Sequence, residues 1–202
     1  MAVTTLAEKI PGWLTEEAPA SPCAVASCCT VTRNLADFPF PGACSPEEKQ
    51  QVVDRIHGVL DGLSLLSSGD YFSFDDLTPS DVRFLAERGL VTQELMGAEG
   101  PRAVYVSDDQ GLSVQVNSVD HLQVRTLASG CKPQEAWARL NLMDDTLGGM
   151  LDFAFKSRLG YLTTNLGHVG TGLLTSVVMP PFHATTSLTS AAHCDSLVTS
   201  NE

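Results

Sequence analysis

The order in which helix-type and strand-type spacings of apolar residues follow each other along the chain is the feature that most constrains its fold. A helical period begins at Ser45, which can cap a helix with Pro46 at its first position, and a second one begins at Thr78. Apolar and polar residues alternate between residues 103 and 127, and the helical period returns after Lys132. Because helices and strands do not alternate, βαβ units are excluded. The sequence predicts an α+β domain, an antiparallel sheet with helices packed mainly on one face.

Several segments have the β-branched content and the bounding turns of strands. They are Cys28–Leu35, Ala103–Val106, Leu112–Val116, His121–Leu127 and a final, buried strand at Leu173–Met179. The longest helix is predicted to continue from Lys132 to Phe155. Gly148 and Gly149 predict a bend or a close contact within it, because each glycine costs about 1 kcal/mol relative to alanine inside a helix.

The length of 202 residues fits one domain with a core of its own. Residues 1–27 are rich in Ala, Pro, Glu and Thr, and they predict an extended N-terminal arm that only Trp13 and Leu14 could anchor. Residues 28–181 form the predicted domain. Residues 182–202 have no usable period and predict a flexible C-terminal tail.

The charge and cysteine content of the chain narrow the choice of partners and compartment. A total of 12 Lys and Arg against 24 Asp and Glu gives a net charge of −12, which argues against nucleic acid because little is left to neutralise phosphates. The sequence shows no secretory signal and no apolar run that could span a bilayer, so no membrane partner is expected. The 6 cysteines lack metal-type pair spacing and are predicted to be reduced thiols of a cytoplasmic protein.

A glycine-rich bend at Gly167, Gly170 and Gly172 is where the backbone could approach a ligand most closely. A phosphate loop would need a Gly-Lys pair followed by Ser or Thr, and a dinucleotide fingerprint would need a following helix. The bend has neither, since it leads into the Leu173–Met179 strand. A tight turn within a sheet is therefore the favoured interpretation.

Candidate catalytic side chains are few. His121 follows Asp120 and could be a base held by a carboxylate, although a histidine bound to the backbone in the core or a turn is the favoured alternative. His168, within the bend, is the more exposed candidate. No nucleophile accompanies either histidine in the sequence, so neither forms a recognisable catalytic set.

Thiols and potential metal ligands give no clearer site. Cys28 or Cys29 could be reactive beside Arg33, but burial as small apolar residues of a strand is the favoured interpretation. The potential ligands in the tail lack the spacing of a known metal site, and any common geometry between them would be accidental. No metal site is therefore expected. These tail residues are His183, His193 and Cys194.

A set of short stretches between Gly12 and Pro181 carries a further signal. The stretches are Gly12-Trp13-Leu14, Arg33-Asn34-Leu35-Ala36-Asp37-Phe38-Pro39-Phe40-Pro41, Val116-Asn117 with Asp120-His121-Leu122, Leu151-Asp152-Phe153-Ala154-Phe155, and Leu159-Gly160-Tyr161-Leu162-Thr163 with Val169-Gly170-Thr171-Gly172-Leu173. In this order and spacing they resemble the ATP:guanidino phosphotransferases, and among them the bacterial protein-arginine kinases. The resemblance implies the phosphagen kinase fold, related to that of glutamine synthetase.

Members of that family transfer the γ-phosphoryl group of ATP to a guanidinium nitrogen, with Mg²⁺, phosphate-binding arginines and orienting carboxylates. Most of these functional positions are replaced in this chain. They now hold Cys28, Thr30, Gln123 and Leu174 in place of arginines, Ser118 and Val119 in place of glutamates, and Asn165 in place of the reactive cysteine. The family's later Arg-Gly-x-x-Gly-Glu loop has no counterpart after Pro181.

The resemblance with these losses predicts a pseudokinase that uses no cofactor, where the family would use ATP and Mg²⁺. No catalytic residue is expected, and its protein partner would be an active family member or a second copy. The vestigial nucleotide and substrate cleft is assigned to Arg33, Asp120, His121, His168, Gly170, Thr171 and Gly172.

Two alternatives stay open at this point. The first is a residual or altered phosphotransferase that uses ATP and a guanidino substrate. Altered chemistry in this cleft would require Arg33, Asp120, His121 and His168 to converge on one pocket. The second is a vestigial domain whose task is structural or oligomeric.

Overall fold

A six-stranded antiparallel sheet is the centre of the computed structural model, which describes residues 3–15, 24–63 and 69–179. Its strands lie in the order β2-β3-β4-β5-β1-β8. They are β1 Ala26–Arg33, β2 Asp70–Ser73, β3 Ala103–Val106, β4 Leu112–Val116, β5 Leu122–Ser129 and β8 Leu173–Val178. A separate hairpin pairs β6 (Phe155–Lys156) with β7 (Gly160–Tyr161). The consecutive neighbours β3, β4 and β5 form an antiparallel meander.

Two long helices, α3 (Pro46–Asp61) and α6 (Pro133–Gly148), pack on one face of the sheet. Their apolar stripes meet Val31, Val114 and Val124 in the larger core cluster. This arrangement confirms the predicted class, an α+β domain with its main helices on one face. Among the described residues, no helix combines the length and the apolarity needed to cross a membrane.

The predicted helix starts are explained by local hydrogen bonds. The Ser45 side chain accepts from the Glu48 N–H, and the Glu48 side chain accepts from the Ser45 N–H, which forms a capping box. Thr78 and Asp81 make the same reciprocal pair at the start of α4 (Pro79–Glu87). Both boundaries could therefore be predicted from a few adjacent residues.

Shorter helices cover the opposite face at the β2–β3 end of the sheet. They are α1 Val3–Ala7, α4 and α5 Gln93–Gly97, and their apolar side chains form a second cluster with Val104 and Val106. Tyr105 points the other way, into the larger cluster, because side chains alternate along a strand. Within the described residues, the second cluster contains no residue of β1, β5 or β8. That part of the opposite face is where the candidate site lies.

The described residues 3–15 of the N-terminal segment contain two short helices, whereas the sequence predicts an extended arm. Val3 and Leu6 are buried, but Leu14, a predicted anchor, is 51% exposed at the end of α2 (Gly12–Thr15). For residues 3–15 the prediction of an extended conformation is wrong, because helices this short show too few apolar residues to reveal a period. The predicted tail at 182–202 lies outside the described residues, and the domain limits stay a prediction.

Helix α6 ends at Gly148, whereas the sequence predicts that it continues to Phe155. The N–H of Gly149 bonds the carbonyl oxygens of Asp145 and Leu147 and closes the last turn. Phe155 belongs instead to β6 and is 56% exposed. The two glycines stop the helix because their low helix propensity removes the advantage of another turn.

Strand β8 forms where the sequence predicts a strand, but it is exposed and not buried. All of its residues, Leu173–Val178, are solvent-exposed, and among the described residues it is the last strand in the sheet order. The prediction of burial is wrong because the apolar, β-branched composition indicates a strand without indicating what lies next to it.

Candidate functional site

A small cleft of about 110 Å³ opens on the sheet face opposite α3 and α6. Thr32 and Gln123 are on its wall, and they alternate with Val31 and Val124, which belong to the larger core on the other face. The cleft is lined by Thr32, Glu94, Ser118, Val119, Asp120, Gln123, Asn165 and His168. It therefore includes several positions where the resemblance places the family's functional residues.

Arg33 does not reach this cleft. Its guanidinium makes a two-pronged ion pair with Asp144 of α6, from Nε at 3.0 Å and from Nη2 at 2.6 Å. Its Nη1 donates to the carbonyl oxygens of Thr32 and Thr171, and the ring of Tyr161 lies 3.6 Å from the guanidinium carbon. The side chain of Arg33 is 4% exposed and that of Asp144 is 11% exposed. Arg33 is thus a buried connection between β1, α6 and the glycine-rich bend.

Asp120 lies at the cleft and is held in place by neighbouring donors. Its Oδ1 accepts from Asn34 Nδ2 at 2.6 Å and from the Thr164 N–H at 2.7 Å. Asn34 also accepts from the backbone N–H of His121, so the β1 end and the β4–β5 turn are tied together. Asp120 therefore has a clear structural role even though it lines the cleft.

His121 points into the core, away from the cleft. Its Nδ1 accepts from the Leu35 N–H at 3.1 Å, which leaves Nε2 to carry the proton in the neutral ring. Burial lowers the pKa of His121 below its ordinary value, although a hydrogen bond to Pro39 and the charge of Asp120 oppose that shift. A neutral imidazole bonded to the backbone stabilises the fold and is not placed to act as a base in the cleft.

The glycine-rich bend is shaped by backbone contacts. Gly172 has φ +63, and a Cβ there would lie 2.6 Å from the Thr32 carbonyl oxygen and 2.7 Å from Arg33 Nη1. Gly170 has φ 122 and pairs with Tyr161 across an isolated bridge. Gly170, Thr171 and Gly172 thus make a tight turn against β1, and none of them is among the residues that line the cleft.

His168 is the sequence-predicted residue that joins Asp120 on the cleft wall. It is half-buried in a short 3₁₀ turn, Leu166–His168, which Asn165 caps by accepting from the Gly167 N–H. The altered-chemistry alternative requires Arg33 and His121 in the same pocket, and the structure directs both of those side chains elsewhere.

Two charged residues near the cleft were not predicted as site residues. Glu94 lines the cleft from α5, a helix too short to show a period. Arg125 lies on the same face of β5 as Gln123, opposite Thr30 in the strand register. Its Nε is buried without a hydrogen-bond partner among the described residues. The alternation of β5 could have identified Arg125, whereas no sequence signal indicated Glu94.

The cysteines of β1 are buried, as the favoured interpretation predicts. Burial raises the pKa of the Cys29 thiol, and a contact with the Thr175 hydroxyl only partly offsets that increase. Across residues 3–15, 24–63 and 69–179, no group of three or more His, Cys, Asp or Glu side chains could hold a metal ion. The tail residues His183, His193 and Cys194 lie outside the described residues.

A second cavity, of about 310 Å³, lies beside α2 and the start of α6. An ion pair between Asp109 and Arg139 forms part of its wall. Burial by itself would raise the pKa of Asp109, but hydrogen bonds from Arg139 and Ser107 bring it down to about 2. Asp109 and Arg139 thus satisfy each other, and Glu135, the third charged residue of the described cavity lining, pairs with Lys132 at 3.2 Å.

Comparison with known proteins places these features in a family. Residues 51–192 match the model of the ATP:guanido phosphotransferase C-terminal catalytic domain. A protein-arginine kinase of Symbiobacterium thermophilum is 34% identical over 170 residues, which are 83% of this chain and 48% of the relative. One from Halalkalibacterium halodurans is 32% identical over 175 residues, 86% of this chain and 49% of the relative. The chain thus spans about half the length of the curated relatives it matches.

Solved structures agree on the fold. The duplicated taurocyamine kinase of Schistosoma mansoni, with bound transition-state analogue components, superposes with a TM-score of 0.74 at 21% identity, over 94% of this chain and 27% of that one. Lombricine kinase superposes with a TM-score of 0.71 at 21% identity, over 86% of this chain and 51% of that one. The fold is therefore that of the phosphagen kinases, and the chain belongs to the ATP:guanido phosphotransferase family.

Proposed function

We propose that this chain is a pseudokinase of the family, a non-catalytic member that acts by binding a protein partner. The observation that carries the proposal is the chemistry of the cleft wall. Glu94 and Asp120 contribute carboxylates, and no Lys or Arg is among the described residues that line the cleft. A triphosphate needs fixed cations around it during phosphoryl transfer, so this wall opposes the binding that the family's reaction requires.

The neutral residues of the wall support the same proposal. Ser118, Val119 and Gln123 stand where the resemblance expects two glutamates and an arginine. Losing one preorganised contact to a transition state costs about 3 kcal/mol, and these losses remove the expected base together with a cation. The cleft volume of about 110 Å³ is also small. Pockets for drug-sized ligands commonly enclose about 300–1,000 Å³.

Nucleotide binding and phosphoryl transfer test the proposal directly. The full chain would be melted with and without Mg²⁺-ATP, and incubated with an arginine-containing peptide to detect phosphoarginine. A ligand at about 100 times its Kd would raise the Tm of a chain of this size by about 5–10 °C. We expect a shift below about 1 °C and no phosphoarginine, with the Symbiobacterium thermophilum protein-arginine kinase as the control measured in parallel. A large shift together with phosphoarginine would overturn the proposal.

A residual or altered phosphotransferase is the second candidate, and Arg125 is the observation that favours it. Arg125 of β5 stands opposite Thr30 of β1, the position where the resemblance expects an arginine. The neighbouring strand could therefore supply the cation that Thr30 does not. Asp120 and His168 would be the other groups available at the cleft. If phosphoarginine is detected, Arg125→Met should abolish it, while Arg83→Met on the exposed side of α4 should leave it unchanged.

The partner and the cofactor are part of the proposal. We infer a protein partner, either an active family member or a second copy of the chain, and no bound cofactor. An acidic chain with net charge −12 is a poor ligand for nucleic acid or for an anionic membrane surface. Co-purification of the full chain from its native host, followed by mass spectrometry, would identify a heterologous partner.

A further inference from the structure

The second cavity, beside α2, lies apart from the cleft. Among the described residues, the two linings have no member in common. Strand β5 connects them, since Gln123 lines the cleft and Leu127–Ser129 line the cavity near the other end of the strand. Ala128 and Ala136 of the cavity lining also belong to the larger core cluster, so the cavity lies on the α6 side of the sheet. A ligand in the cavity would therefore not occupy the cleft.

The walls of this cavity come from segments that are distant in sequence and are bonded to one another. The Gly12 N–H donates to the Asp109 carbonyl at 2.9 Å, which fixes the backbone next to Trp13 against the β3–β4 turn. Arg139 of α6 lies across the same turn, where a Cβ at Gly111 would come within 2.5 Å of its Nη1. The fold itself thus forms the cavity, and such preorganisation favours binding because little has to be ordered when a ligand enters.

The size of the cavity limits the size of its ligand. Its volume of about 310 Å³ is close to three times the 110 Å³ of the cleft. Pockets for drug-sized ligands commonly enclose about 300–1,000 Å³, and this cavity is at the lower end of that range. A small molecule of one or two rings would fill it.

The charged residues of the lining favour a ligand without net charge. Arg139 donates to Asp109 twice, from Nη1 at 2.6 Å and from Nη2 at 2.9 Å. Glu135 pairs with Lys132 at 3.2 Å. An ionic ligand would need a counterion from this lining, and both ion pairs are already formed. Because burial of an unpaired charge is unfavourable, a neutral ligand fits the cavity best.

Two planar groups in the lining favour an aromatic ligand. They are the indole of Trp13 and the guanidinium of Arg139, and both kinds of group stack on aromatic rings. Leu127 and Ala128 add apolar contact area. Within the described part of the chain, Trp13 Nε1 is buried and has no hydrogen-bond partner. A ring that carries an acceptor atom would satisfy this donor.

We propose that this cavity is a binding site for a neutral, planar aromatic molecule of one or two rings that carries a hydrogen-bond acceptor. Trp13 and Arg139 contact the ring, and the ends of β5 and α2 enclose it. The inference goes beyond the proposed function and does not rest on it, because no residue of the cavity lining belongs to the cleft.

Titration of the ¹⁵N-labelled full chain with 2-naphthol tests the proposal. This probe is neutral at neutral pH and planar, and its hydroxyl oxygen can accept a hydrogen bond. The chain contains two tryptophans, Trp13 and Trp137, so its NMR spectrum has two indole N–H signals, which Trp137→Phe assigns. We expect the Trp13 signal to shift saturably with a Kd of about 1 mM or tighter. The Trp137 signal should not move, because Trp137 is outside the cavity lining.

Two variants remove the site in different ways. Ala128→Met extends a lining side chain into the cavity and should raise the Kd about tenfold or more. Trp13→Leu removes the stacking surface and the N–H donor, and saturation transfer to the 2-naphthol protons should show a similar loss. The matched control is Ala138→Met, at an exposed residue of α6 outside the lining, which should leave the Kd unchanged.

The outcomes that overturn the proposal are specific. A Trp13 signal that shows no saturable shift up to the solubility limit of 2-naphthol overturns it. An unchanged Kd in Ala128→Met and Trp13→Leu also overturns it, because the probe would then bind elsewhere. Far-UV circular dichroism identifies a variant that fails to fold, and the remaining variant then decides. The assay contains no nucleotide, so its result is independent of the nucleotide test.

Discussion

The two faces of β1 have different roles in the molecule. On the α6 side, Arg33 is buried and bonded to Asp144, to two backbone carbonyls and to the Tyr161 ring. On the other side, Thr32 lines the cleft and Thr30 stands where the resemblance expects a phosphate arginine. The arginine that supports the fold is present, whereas the cleft-side position where the resemblance expects an arginine holds a threonine.

This difference shows that residues which support the fold and residues which face the cleft can be replaced independently. Removing Arg33 would leave the Asp144 carboxylate buried without its partner, and that penalty opposes its replacement. A cation that faces a solvent-filled cleft has no buried partner that its loss would leave uncompensated. Its replacement by Cys, Thr or Gln therefore costs little stability. The comparison predicts large effects on the α6 face and small ones at the exposed residues of the cleft wall.

The largest expected effect comes from Arg33→Met. This change leaves Asp144 uncompensated, so we expect the free energy of unfolding to fall by about 3–5 kcal/mol. Urea unfolding followed by fluorescence would measure the loss. Arg55→Met is the matched control, because Arg55 pairs with Asp37 at the surface and should cost less than about 1 kcal/mol. Equal losses in the two variants would break the comparison.

Gly172→Ala tests whether the glycine-rich bend, whose Thr171 carbonyl accepts from Arg33 Nη1, needs glycine at this position. Its φ of +63 and the 2.6 Å approach of a Cβ to the Thr32 carbonyl predict a loss of about 1–3 kcal/mol. Thermal unfolding monitored by circular dichroism would show it. Gly167→Ala is the control, since its Cβ would meet only the Asn165 side chain at 3.3 Å. A neutral Gly172→Ala would show that the bend can move away from β1.

His121 predicts a pH dependence with a definite sign. Burial lowers its pKa below the ordinary value of 6.5, so the folded state favours the neutral ring. Its contribution to stability is therefore present above pH 6.5 and is lost as the pH falls through the lowered pKa. His121→Asn keeps an acceptor for the Leu35 N–H but does not titrate. Urea unfolding at pH 7.5 and 5.5 should show a steeper loss in the wild type, and parallel losses would contradict the assignment.

Glu94→Gln should have the smallest effect. Glu94 is exposed on the cleft wall, so the free energy of unfolding should change by no more than about 0.5 kcal/mol. The same urea assay would measure it, with Glu99→Gln, at an exposed residue outside the cleft lining, as the matched variant. A loss above about 2 kcal/mol would show that Glu94 supports the fold as Asp120 does, and it would weaken the contrast between the faces.

Much of the fold could be predicted from local sequence. Ser45 with Glu48, and Thr78 with Asp81, encode helix starts within a few residues, and the alternation of Leu112–Val116 encodes β4. The short β2 and α5 were missed, because four or five residues show no period above background. Motifs shared with a family located the cleft loops, since those motifs keep their order and spacing.

By itself, the sequence determined the fold class, the helix caps and the family. Only the tertiary structure decided that Arg33 faces α6, that His121 enters the core and that β8 is open to solvent. The physical reason is the distance along the sequence between the residues that interact. Caps, turns and periods depend on neighbours along the chain, whereas the direction and burial of a side chain depend on strands and helices that are distant in sequence.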